Sequence, residues 1–64
     1  MNGFYGWKSL QAYTIARTID NDWGLYKAML KTENLSLFLQ KQGADINALP
    51  ELLQHFKAKR HEEN

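Results

Sequence analysis

ENLSLFLQKQGADINALPELLQHFKAKR, residues 33–60, reads as a helix, a Gly-Ala turn and a second helix. Leu35, Phe38 and Leu39 form one apolar stripe, and Leu49, Leu52, Leu53 and Phe56 follow the i, i+3, i+4, i+7 rule of an amphipathic helix. Thr32 suits an N-cap, because its hydroxyl can accept from a free amide in the next turn. Glu33 then meets the positive end of the helix dipole. The helix runs through Gln42, with Gly43 as the left-handed residue just past its end. Asp45 or Asn47 can cap the second helix, and Pro50 fits its first turn, where a missing amide proton costs nothing. Leu37 falls off the main stripe, either exposed or facing another element.

Upstream the pattern is less regular. Trp7, Leu10 and Tyr13 would point one way on a helix, whereas Ala12, Ile15, Ala16 and Ile19 point roughly opposite. Two arrangements satisfy this: a break near residues 11–14 into two helices, or one central helix contacted from both sides. The clean stripe of Ala12, Ile15, Ala16 and Ile19 favours the break. Asp20-Asn21-Asp22-Trp23-Gly24 is a stop, since Asn, Asp and Gly favour turns. It has the alternating oxygens of a calcium loop, but Leu25 and Lys31 stand where such a loop needs its glycine and its glutamate. A polar helix exit is the better reading. Leu25, Ala28 and Met29 at helical spacing predict a short helix or an ordered connector. Residues 61–64 are polar and expected to fray. No strand-like alternation, repeat or low-complexity segment occurs. The fold class is all-α.

Sixty-four residues allow one domain, spanning 1–64. There is no cysteine, hence no disulfide framework and no cysteine-based zinc site. A small chain without such staples needs a dense apolar core. Two Trp, three Tyr and three Phe on a Leu-rich background supply it. The expected core is Phe4, Trp7, Ile15, Ile19, Leu35, Phe38, Leu39, Leu49, Leu53 and Phe56. Eight Lys/Arg against seven Asp/Glu leave a net charge of +1, too balanced to imply a nucleic-acid or membrane partner by itself. The apolar runs are far shorter than the roughly 20 residues of a membrane span. The first residues lack the basic start and apolar core of a signal peptide. A soluble, cytoplasmic protein is expected, in which the sequon at Asn34-Leu35-Ser36 has no meaning.

Phe4-Tyr5-Gly6-Trp7, then Ala16, Ile19 and Asp22, then Phe38-Leu39 with Gly43-Ala44, and finally Leu49, Leu53 and Phe56 form an ordered framework. In these residues the chain resembles the YozE-like family, small SAM-like helical proteins of Gram-positive bacteria and their prophages. The family's Phe-Pro after the second helix is Leu25-Tyr26 here, its Leu after the first Trp is Lys8, and its closing Trp is Phe56. The link between the first two helices is about six residues shorter than the family's by this alignment of motifs. The resemblance implies a compact four- or five-helix SAM-like orthogonal bundle, and its motifs are packing residues rather than catalytic ones.

Nothing in the sequence assembles a reaction. His55 and His61 lie about 240° apart around a helix, too far to share a metal. No phosphate-cradling glycine loop, HExxH or Ser-His-Asp constellation occurs. A non-enzymatic binding module without cofactor or metal is expected. SAM-like domains dock partners through helix ends and mid-loop surfaces, so the resemblance points to an as yet unidentified protein partner. Trp23, Leu25, Tyr26 and Leu37 are the candidate anchors, being large apolar residues off the clear stripes or beside turns. The plainer reading, preferred at each position, is that Trp23 and Tyr26 plug the core from the side. The alternative function is nucleic-acid binding through Lys41, Lys57, Lys59 and Arg60, with Lys27 and Lys31 as a second basic spot. Against it stands the simpler account of a solvated helix end favoured by its own dipole. A prophage protein that disables a host factor is a variant of the first hypothesis and follows only from where the family occurs.

Overall fold

A computed structural model describes residues 6–63. Among them are four helices and no strand: α1 (Leu10–Asn21), α2 (Trp23–Lys31), α3 (Leu35–Lys41) and α4 (Leu49–Glu63). The radius of gyration is 11.1 Å, close to the roughly 10.7 Å expected for one folded body of this length.

The first helix is single. Its start is fixed by Ser9, whose Oγ accepts a hydrogen bond from the Ala12 amide at 3.1 Å. Ala12, Ile15, Ala16 and Ile19 all lie on its buried face. The expected break at 11–14 is therefore corrected to Ser9, one turn earlier. Trp7 conflicted with the α1 stripe because it is not on the helix at all. It stands in the approach segment, behind Gly6 at φ +93°. That segment is pinned to α4 by the Lys8 amide, which donates to both carboxylate oxygens of Glu51 at 3.2 and 3.0 Å.

One residue separates α1 from α2. Asp22 closes α1 through its amide on the Ile19 carbonyl and opens α2 through Oδ1, which accepts from the Leu25 amide at 3.1 Å. The expected exit is thus also an entrance, and α2 begins at Trp23. Asp22→Ala removes this cap and is expected to cost about 1 kcal/mol, read as a lower urea midpoint at unchanged slope.

Thr32 does not cap α3. Its amide closes α2 on the Ala28 carbonyl at 2.9 Å, and the cap is Asn34, whose Oδ1 accepts from the Leu37 amide at 3.0 Å. Glu33 consequently lies before the helix. At the other end Gln42 is the C-cap and Gly43 has φ +101°. The Gly43 amide reaches the Gln40 carbonyl and the Ala44 amide reaches that of Leu39, at 3.0 and 3.2 Å. This is the Schellman arrangement, closed by burial of Ala44 and Leu39 in one core. Gly43→Ala forces an L side chain into the left-handed region and is expected to cost about 1–2 kcal/mol, a fall of several degrees in Tm by thermal circular dichroism.

Of the two proposed caps before α4, Asp45 takes the role. Its Oδ1 accepts from the amides of Asn47 and Ala48, both at 2.9 Å. Pro50 lies in the first turn. The helix continues to Glu63, through three of the four residues expected to fray.

The four helices share one core centred on α4, which packs against α1, α2 and α3. Ile19, Met29, Leu39, Leu52 and Phe56 are its largest fully buried side chains. Trp7, Phe38, Leu49 and Leu53 are only partly buried against it, a correction to their expected place in the centre. Phe4 lies outside the described residues. Met29 and the small residues Ala44 and Ala48 fill positions not expected to be core. The alanines sit where the chain turns back between α3 and α4.

Candidate functional site

The α2 helix divides cleanly into two faces. Met29 is fully buried, and Leu25, Tyr26 and Leu30 pack against the core around it. Trp23, Gly24, Lys27, Ala28 and Lys31 all face outward. These positions recur at one and four residues, the spacing of a straight stripe about 12 Å long.

Trp23 dominates this face. The Asp22 cap makes residue 23 the first of the helix, about 120° around from Met29 and at the edge of the packed face beside Leu30. The indole is 68% exposed. It nevertheless has two neighbours on its own helix. The Tyr26 ring stacks against it with centroids 6.0 Å apart and planes inclined by 19°, and the Lys27 ammonium lies 5.9 Å from the ring centre. Tyr26 is half-buried and anchors the pair to the domain. A large ring held in one orientation loses little freedom on binding.

The other expected anchors divide. Leu25 and Tyr26 are packing residues with partial exposure, so the plainer reading describes them better than it does Trp23. Leu37 is 47% exposed on α3. Leu10 and Ile46, at 59% and 82%, are exposed apolar residues that the sequence reading did not single out.

The basic residues do not form one patch. Lys57, Arg60 and His61 line a groove of about 540 Å³ between α4 and the start of α3, floored by Leu35 and Leu53. Lys41 is at the opposite end of α3, about 9 Å along the helix from Leu35. Lys59 lies about 200° around α4 from Lys57 and does not line the groove. Only two of the four expected residues are thereby brought together.

A pair invisible in the sequence joins α1 to α4. His55 Nε2 is 3.3 Å from Asp20 Oδ2, with about a third of each side chain exposed. The imidazole meets the rings of Trp7 and Phe56 edge to face, at 4.9 and 4.7 Å. A His-Asp pair needs a hydroxyl or thiol nucleophile to do acyl-transfer chemistry. The adjoining cleft, lined by Trp7, Tyr13, Arg17 and Asp20, has no Ser, Thr or Cys in its wall. Its tyrosine hydroxyl is engaged by Arg17 Nη1 at 2.8 Å. The pair ties two helices together. Among the described residues no cluster of three or more His, Cys, Asp or Glu could hold a metal ion, and no helix is long and apolar enough to cross a membrane.

Comparison of the chain with protein-family models, with curated proteins and with solved structures gives no match.

Proposed function

We propose that this protein is a small cytoplasmic, non-enzymatic binding module that acts by protein–protein contact through the outward face of α2. The observation that carries the reading is the exposed Trp23, stacked on an anchored Tyr26 at the entrance to the helix. Tryptophan left in water by a 64-residue domain that needs apolar burial is accounted for by a partner that covers it. Kinship with the YozE-like, SAM-like proteins is part of the same proposal. It is supported by the burial of Ala16, Ile19, Leu39, Ala44 and Phe56, all residues of the framework that carries the resemblance.

A second reading, nucleic-acid binding, rests on Lys57 and Arg60 sharing one groove wall. Capture from cell lysate with the tagged chain, one half treated with nuclease, separates the two. A discrete protein retained in both halves supports the α2 surface. Material lost only after nuclease treatment supports the groove, and should then also be lost steeply as salt rises.

A further inference from the structure

The charge on the α2 face specifies what can cover it. From Trp23 to Lys31 the helix contains two lysines and no carboxylate. Lys31 is in the last turn, where the dipole accounts for a cation. Lys27 is in the middle, where it does not. The nearest acids in the chain are outside the helix at either end. Asp22 has its Oδ1 committed to the Leu25 amide, and Glu33 lies beyond Thr32. Neither lysine makes an ion pair among the described residues.

We infer that the occupant of this face is an acidic amphipathic helix, lying along α2 with an apolar side chain against Trp23 and carboxylates facing Lys27 and Lys31. Trp23, Lys27 and Lys31 succeed one another at i+4, a repeat of about 6 Å along the axis that a facing helix matches residue for residue. Between them Gly24 and Ala28 project almost nothing, so the partner's side chains have room to reach the surface. The stacked Tyr26 keeps the indole in place, and the lysines supply register and exclude basic partners. This inference rests on the α2 surface being the contact site and goes further by naming the partner's chemistry.

The test uses a fluorescein-labelled 20-residue helix with Leu at i, i+3, i+4 and i+7 and Glu elsewhere, and its counterpart with Lys in place of Glu. Anisotropy is read against the full chain at low and moderate salt. The Glu helix is expected to bind at least about tenfold more tightly than the Lys helix, and to weaken with salt. Trp23→Ala is expected to abolish the difference by removing binding, and the double variant Lys27→Glu, Lys31→Glu to reverse it. Circular dichroism confirms that each variant is folded. Equal binding of both helices, preference for the Lys helix, indifference to the charge reversal, or no binding of either overturns the inference. Failure of both peptides alongside a Trp23-dependent capture from lysate would leave the protein-contact reading standing and remove only the acidic helix.

Discussion

Phe56→Ala is expected to lower the free energy of unfolding by about 3–5 kcal/mol. The ring is fully buried on the helix that touches all three others. Removing it leaves a void in the core that the helices share. A domain of 64 residues has roughly 3–10 kcal/mol in total, so the variant should be largely unfolded or close to its midpoint at 25 °C. Urea titration followed by far-ultraviolet circular dichroism reads this directly. Phe38→Ala provides an internal comparison. Its ring is only partly buried, so less is lost and the variant should remain folded with a smaller shift. A Phe56→Ala protein that melts with its parent would contradict the central place given to α4.

Trp23→Ala is expected to do the opposite: leave the fold and remove the function. With the indole mostly in water, the change in stability should stay within about 0.5 kcal/mol. Alanine is the better helix former, which offsets the lost stacking on Tyr26. An exposed tryptophan at the centre of a contact typically costs at least 2 kcal/mol of binding when truncated, about a thirtyfold loss of affinity. Circular dichroism melts and a binding titration on the same preparation separate the two effects. Loss of the helical signal would return Trp23 to a structural role.

The α3–α4 half was legible because each of its signals is local. The heptad-like stripe of α4, Gly43 just past a C-cap and Asp45 ahead of a proline each need only their neighbours to act. The first helix was misplaced because Trp7 was assumed to be helical, whereas its burial comes from a non-helical approach segment held by Glu51. Thr32 and Asn34 are both good caps two residues apart, and composition does not choose between them. The choice follows from where α2 ends. The Asp20–His55 pair joins residues 35 positions apart and leaves no local trace. Lys41 was grouped with Lys57 and Arg60 because all are basic. The α3–α4 turn instead brings the start of α3 alongside the second half of α4 and carries Lys41 away.

Trp23 is a candidate anchor in the sequence, with the plainer reading that it plugs the core from the side preferred, and the structure leaves it mostly exposed. The angular position does not decide the matter. Leu25, Tyr26, Met29 and Leu30 form one inward face, and residue 23 falls at its edge, about 20° around from Leu30. The outward position of Lys27 and Lys31 followed from the same arithmetic, and their shared face was recognised. What spacing alone did not supply was the start of α2 at Trp23, fixed by the Asp22 cap.

The most direct measurement is lysate capture with wild-type and Trp23→Ala chains side by side, both nuclease-treated and matched in melting temperature. The account predicts a protein retained by the wild type and lost from the variant. Equal retention by both chains would contradict it.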